Sequence, residues 1–282
     1  MKTIRLRLFQ LDIRSTVNEN LALIENIAQK KWSPQNIDIS NYNNQKNLSR
    51  DAESSCDVLL LPELFTTGYH SPEKMHSLAE DINGPTVSTL KRITRENNIS
   101  IGAGSFIEKD GNRYYNTSIS MNSKGQLLNR YRKTHLFTPM GEEEMFSPGD
   151  RLTTFKCFDT IIGVLTCYEL RFPEIARKLA LDGAKIIFCP VNWPHPRGDI
   201  QYNLARARAI ENQLFFVVIN RVGSQGKWNF CGQSLVCAPD GKVLALGGED
   251  TEEKIDAEIN IEDVDKYREE IPSLKERRPE IY

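Results

Sequence analysis

Apolar and polar residues alternate over residues 3–13. Ile4, Leu6 and Leu8 share one phase, and Leu11 and Ile13 follow after a shift at Phe9, which predicts a strand with a bulge. Over residues 18–30 the spacing becomes helical, with Leu21, Ile24, Ile27 and Ala28 on one face. Residues 31–55 then turn polar and rich in Asn and Ser; with no periodicity of their own they read as an insertion, disordered in preference to functional. The short apolar run at 57–63 suits a strand buried on both faces. A helix is predicted over 86–97, then strands over 99–107, 113–121 and 126–133, separated by Asp110-Gly111 and Ser123-Lys124-Gly125 turns.

The second half repeats this order. It has a strand over 160–167, a helix over 173–182, a strand over 184–190, a helix over 200–212 and a strand over 214–221. Strands near 229–238 and 242–246 follow, joined by Pro239-Asp240-Gly241. Two matching halves imply a pseudo-symmetric pair of βα units, sheet facing sheet with helices outside. The absence of a Pro/Gly/Ser linker between 133 and 160 predicts one domain over 1–282, its core spanning about 4–260 and its tail, 261–282, starting helical and packing on a neighbouring surface or subunit.

Composition narrows the class of partner. Hydrophobic residues make up 39% of the 282 and charged residues 26%, as in a globular protein with a sizeable core. With 36 basic against 38 acidic residues, the chain lacks the basic excess of a nucleic-acid or anionic-membrane binder, which leaves a small molecule as the expected partner. Lys2, Arg5, Arg7 and Asp12 interrupt any signal-peptide core, and no run approaches the ~18 apolar residues of a membrane helix. Six cysteines without a CxxC pair or Cys/His ligand spacing point to a reducing cytoplasm and to no metal.

Three predicted strand ends carry reactive side chains. In TIIGVLTCYELRFPEIARKL an apolar strand ends at Cys167, and Pro173 suits the start of the next helix, so a strand-turn-helix elbow exposes the thiol and aims the Tyr168 N–H at an adjacent oxyanion. DVLLLPELF ends in Glu63 and RYRKTHLF places Lys133 at another strand end, where ligands gather in α/β folds. A thiol attacking a carbonyl needs a cation to favour its thiolate, a role open to Lys133. It also needs a desolvated carboxylate to move protons, a role open to Glu63. The Lys133 ammonium and the Tyr168 N–H are then the candidate oxyanion donors, and the product is a thioester. No GxSxG occurs, and His135, two residues past Lys133 on a continuing strand, is given a minor structural part.

LLLPELF, YRKTHLF and LTCYELRFPE, in this order and separation, resemble the three signature blocks of the nitrilase or carbon-nitrogen hydrolase superfamily over nearly the whole chain. The resemblance implies a four-layer αββα sandwich, a Glu63-Lys133-Cys167 triad with no cofactor, and at least a dimer. It also implies a second glutamate a fixed distance before a Pro-Gly; GEEEMFSPGD offers Glu142, Glu143 and Glu144, and ungapped spacing from Gly149 favours Glu142. Tyr168 after the cysteine fits the amidase branches. CYELRFPE, VNWPHPR, RARAIENQ and NRVGS look most like the omega-amidase group, whose substrates are monoamides of dicarboxylic acids. Such a substrate needs a cationic clamp, for which Arg171 and Arg197 are candidates unless they pair with Glu174, Asp199 or Glu211; Trp193 and Phe137 are candidate pocket walls. The expectations are therefore a thiol amidase, alternatively an N-carbamoyl-amine amidohydrolase or a catalytically silent scaffold, with Glu63, Lys133 and Cys167 within ~3–4 Å of one another.

Overall fold

Alternation inside the apolar runs decides the layers. In IIFCP and FFVVI, Ile186, Phe188, Phe215, Val217 and Ile219 face a central core with Leu6, Leu8, Val58 and Leu60, whereas Ile187, Cys189, Phe216 and Val218 face an outer one. Both sets are buried, so these strands read as continuous apolar runs.

The structure is a computed structural model and describes residues 3–29 and 56–281, so the predicted 31–55 insertion lies outside the described residues. The first half comprises β1 (Thr3–Gln10), α1 (Val17–Ala28), β2 (Val58–Leu60), α2 (Pro72–Ser77), α3 (Pro85–Asn97), β3 (Ser100–Asp110), β4 (Arg113–Met121), β5 (Leu127–Arg132) and α4 (Glu142–Met145). The second comprises β6 (Thr154–Cys157), β7 (Thr160–Val164), α5 (Pro173–Leu181), β8 (Ile186–Pro190), α6 (Gly198–Asn212), β9 (Phe215–Ile219), the ribbon β10 (Ser224–Gln225) and β11 (Trp228–Asn229), β12 (Leu235–Cys237), β13 (Val243–Leu246), β14 (Glu253–Asn260) and α7 (Glu262–Glu270).

Two six-stranded sheets form, in the orders β14-β1-β2-β3-β4-β5 and β13-β12-β9-β8-β7-β6. They face each other across the central core; α1 and α3 cover the first sheet through Leu21, Ile24, Val87, Leu90 and Ile93, and α5 and α6 cover the second through Ile175, Leu179, Ala205 and Ala209. This is the four-layer αββα sandwich. Each fully buried Leu or Ile at these contacts contributes about 1.5–3 kcal/mol of transfer free energy.

The structure corrects three local expectations and places the start of the tail. No bulge interrupts β1, whose register with β14 runs unbroken from Thr3↔Asn260 to Gln10↔Glu253. The apparent shift at Phe9 arises because the outer face changes along the strand: Arg7 pairs with Asp256, while Phe9 packs against the helical layer. The 229–238 strand is two short pieces, because the intervening residues fold back and Gly232 donates its N–H to the carbonyl of Arg221 at 3.1 Å. Strand β14 has no counterpart in the predicted elements, although Ile255, Ala257 and Ile259 alternate inward. The tail packs first on its own chain: Val264 is buried, and the Arg268 guanidinium donates to the carbonyls of Ala184, Asn212 and Gln213 at 3.1–3.3 Å.

Candidate active site

Three turns bring the predicted residues together. Glu63 lies in the turn after β2, fixed to the neighbouring strand by the Leu64 and Phe65 N–H groups, which donate to Ser105 Oγ (2.8 Å) and O (3.1 Å). Lys133 follows β5 immediately, with its N–H on the Asn116 carbonyl (2.9 Å) and its carbonyl receiving the Gly149 N–H (2.8 Å). A Cβ at Gly149 would stand 2.2 Å from the Arg132 carbonyl oxygen, which explains why glycine closes the SPG segment. Cys167 begins the 3₁₀ turn Cys167–Arg171 with a φ of 52°, a left-handed conformation that costs a non-glycine residue free energy and turns β7 sharply into α5.

The ammonium of Lys133 sits between two buried carboxylates, 3.0 Å from Glu63 Oε1 and 2.8 Å from Glu142 Oε1, with all three side chains wholly enclosed. Glu142 is buried while Glu143 and Glu144 are exposed, so the acidic run contributes its first member to the cluster. Asn116 Nδ2 donates to Glu63 Oε1 (2.8 Å), and the Tyr69 hydroxyl lies 3.1 Å from Glu63 Oε1 and 2.5 Å from Glu142 Oε1. The Phe137 N–H donates to Glu142 Oε2 at 2.8 Å. These donors leave Glu63 Oε2 buried with no conventional partner, available to the Cys167 thiol, whose hydrogen bond favours the Glu63 carboxylate.

Burial pushes the Glu63 carboxyl up, opposed by Lys133 and reinforced by Glu142. Burial opposes the charge of Lys133, but the two carboxylates outweigh it and hold the ammonium well above its ordinary range. The Cys167 thiol is pushed well up, first by burial and then by Glu63, with Lys133 opposing. Lys133 acts on the thiol in the expected direction, favouring the thiolate, but burial and the two carboxylates outweigh it.

Cys167, Tyr168, Arg171, Trp193, Arg197 and Phe137 line one pocket, together with Tyr69 and Asn192. Phe137 and Tyr168 form a tilted aromatic pair at 4.9 Å, and the Arg171 guanidinium lies 4.9 Å over the Trp193 ring. Among the described residues no carboxylate forms an ion pair with Arg171 or Arg197; Glu211, the alternative partner, is taken by Arg208 at 2.9 Å. His135 is not on a continuing strand. Beyond the end of β5 it turns outward, with its ring against Phe172 at 4.3 Å and Nδ1 beside Thr134 Oγ1 at 2.9 Å. No group of three or more His, Cys, Asp or Glu among the described residues is arranged to hold a metal.

Sequence reasoning missed Tyr69, Asn116 and Glu169. The buried Glu169 carboxylate takes Tyr131 OH (2.6 Å), Thr134 N (2.7 Å), Thr134 Oγ1 (2.6 Å) and His135 N (3.1 Å) on one oxygen and Thr166 N (2.7 Å) on the other. It thereby ties the residue after Lys133 to the residue before Cys167. Its place two residues after the cysteine was the available signal, since a charge inside an apolar elbow requires buried partners.

The αββα sandwich thus brings a thiol, a lysine and two carboxylates together beside one pocket, and its layers and strand order define the class of fold. Residues 5–269 match the carbon-nitrogen hydrolase family, and the chain belongs to it. The 2-oxoglutaramate amidase of Bacillus subtilis (strain 168) is 38% identical over 226 residues, covering 80% of this chain and 86% of the relative. The omega-amidase NIT3 of Saccharomyces cerevisiae is 34% identical over 240 residues, covering 80% and 82%. The crystal structure of Saccharomyces cerevisiae Nit3, of branch 10 of the nitrilase superfamily, superposes with a TM-score of 0.84 at 28% identity, covering 99% of this chain and 97% of that one. The chain is thus a hydrolase of carbon-nitrogen bonds.

Proposed function

We propose that this hydrolase is an amidase for a small linear substrate, the monoamide of a dicarboxylic acid, and that it releases ammonia through a Cys167 thioester. The observation that carries the substrate class is the pair of guanidinium groups, Arg171 and Arg197, lining the pocket of Cys167 with no carboxylate among the described residues paired to them. A substrate carboxylate supplies the missing anion and fixes the scissile amide at the thiol. The relatives named 2-oxoglutaramate amidase and omega-amidase support the same class.

Because burial and Glu63 disfavour the free thiolate, attack and deprotonation are coupled. Glu63 takes the Cys167 proton as Sγ bonds to the amide carbon. Lys133 spends two of its three N–H donors on Glu63 and Glu142, and the third, with the Tyr168 N–H in the first turn of the 3₁₀ segment, stabilises the oxyanion. Each such donor supplies roughly 3 kcal/mol. The tetrahedral adduct collapses as Glu63 returns the proton to nitrogen; ammonia leaves, a thioester remains, and water activated by Glu63 hydrolyses it to the dicarboxylate and free thiol. Glu142 holds Lys133 charged and in place.

We place this enzyme in the cytoplasm, as one folding unit that assembles into a homodimer or larger homo-oligomer; exposed Leu181, Ile200 and Ile210 on the outer helices support the assembly. Light scattering during size exclusion tests it, a monomer counting against it. The activity is tested by ammonia release from 2-oxoglutaramate, succinamate, glutamine, N-carbamoyl amines and a simple nitrile, beside Cys167→Ala. Turnover confined to the dicarboxylate monoamides and lost in the variant is the expected result. Turnover of the N-carbamoyl amines alone would replace the substrate class, and silence with an inert thiol would favour the scaffold reading.

A further inference from the structure

One buried side chain of the pocket has polar atoms that no group among the described residues satisfies. Asn192 is 2% exposed and lines the pocket with Cys167, yet neither its Oδ1 nor its Nδ2 has a hydrogen-bond partner among the described residues. The indole Nε1 of the adjacent Trp193, 4% exposed and in the same wall, is also unpartnered. Loop slack does not explain this. The Val191 N–H donates to the Ile219 carbonyl (2.8 Å), the Trp193 N–H donates to Asn220 Oδ1 (3.0 Å), and the Trp193 carbonyl accepts from Asn220 Nδ2 (3.2 Å) and the Cys231 N–H (3.1 Å). The backbone on both sides of Asn192 is therefore fixed by bonds across the second sheet, while its carboxamide is held out of water with nothing to bind. Burying an unpaired amide is costly, and such groups persist where a ligand completes them.

We propose that Asn192 is a specificity-determining residue that hydrogen-bonds an oxygen substituent on the substrate's carbon chain, an oxo or hydroxyl group between the scissile amide and the far end. An amide carries both a donor and an acceptor, so it serves either group. The preferred substrates are then oxygen-substituted monoamides rather than plain hydrocarbon-chain monoamides. This rests on the dicarboxylate monoamide reading for the far end of the substrate, but not for the role of Asn192.

Four amides separate the two claims: 2-oxoglutaramate and glutaramate carry the far carboxylate with and without the oxo group, and 4-oxopentanamide and pentanamide repeat the pair without the carboxylate. The wild-type kcat/KM ratio of oxo to unsubstituted amide is expected to be about 10- to 100-fold within each pair, the cost of leaving a buried amide unsatisfied. In Asn192→Leu the ratio collapses toward one in both pairs. A wild-type ratio near one, or a ratio unchanged in Asn192→Leu, overturns the role of Asn192. Equal turnover with and without the carboxylate overturns the dicarboxylate reading alone, and turnover of none of the four overturns both.

Discussion

Replacing Glu142 with glutamine removes one charge from the cluster while keeping the side chain's shape, and the structure fixes the sign of the effect on the pH profile. The arms from Lys133 Nζ measure 3.0 Å to Glu63 Oε1 and 2.8 Å to Glu142 Oε1. At a tetrahedral angle the two oxygens stand ~4.7 Å apart. At an effective dielectric of ~20, two unit charges at that distance repel by about 3.5 kcal/mol. Spreading each charge over two oxygens reduces this repulsion without changing its sign. Glu142 raises Glu63, so its loss lets Glu63 ionise at lower pH, and the acid limb of kcat/KM moves down. Glu142 also raises Lys133 and Cys167, so whichever of them sets the alkaline limb, that limb moves down as well. The assay is ammonia release across pH, read as kcat/KM so that the limbs report the free enzyme. The glutamine turns an N–H toward either the Phe137 N–H or the Lys133 and Tyr69 donors, which costs about 1–3 kcal/mol of stability and is followed by thermal melting. Limbs that stay in place, or an acid limb that moves up, would refute the shared-cation account.

Three further outcomes follow from the geometry. Cys167 in the wild type is expected to alkylate with a half-maximal rate above the free-thiol value of pH ~8.5, and Glu63→Gln, though inactive, to alkylate at lower pH because Glu63 raises the thiol; iodoacetamide kinetics followed by mass spectrometry decide it. Glu169→Ala leaves the Tyr131 hydroxyl, the Thr134 N–H and the Thr166 N–H buried without their acceptor, so a loss of roughly 3 kcal/mol or more and a fall of about 5–10 °C in Tm are expected by calorimetry, with kcat falling more than KM rises. Arg171→Gln with Arg197→Gln is expected to raise KM for dicarboxylate monoamides about 10- to 100-fold and to leave simple aliphatic amides within about threefold, by steady-state kinetics on both substrates.

Most of the layer architecture was legible because it rests on period. The buried strands of the second sheet are unbroken apolar runs, and helix α1 starts one residue before its predicted position because Thr16 and Glu19 form a capping box at its N-terminus. Strand β14 was missed because Glu253, Lys254, Asp256 and Glu258 surround three small or branched apolar residues, and the pattern reads as a polar tail unless β1 is known to lie beside it. Cys167, Lys133 and Glu63 were legible because reactive residues stood at the ends of apolar runs. Glu142 was separable from Glu143 and Glu144 only by family spacing, since burial of one carboxylate in three depends on a fold-back that no local pattern encodes. Asn116 and Asn192 were illegible for another reason: an asparagine in a strand or loop is a common turn former, and only its partners, or their absence, show what it does.

The site also explains why the two halves must stay in register. Glu63 and Lys133 come from the first sheet, Cys167 and Asn192 from the second, so the distance between thiol and base depends on how far apart the two sheets are held. Close-packed side chains such as Leu60 and Phe188, each 3.1 Å from where a Cβ at Gly102 would stand, set that distance from within. Polar bonds then set it at the site: Ser118 Oγ meets Thr166 Oγ1 at 3.2 Å, and Tyr131 donates across to Glu169 at 2.6 Å. A buried cluster of two carboxylates and one ammonium is worth keeping only if every partner is in place, because a single misplaced donor leaves a charge unpaired in a low-dielectric interior. The same interior that makes the cluster expensive strengthens the field at the oxyanion, so the rigid two-sheet core is the condition for the chemistry as well as for the fold.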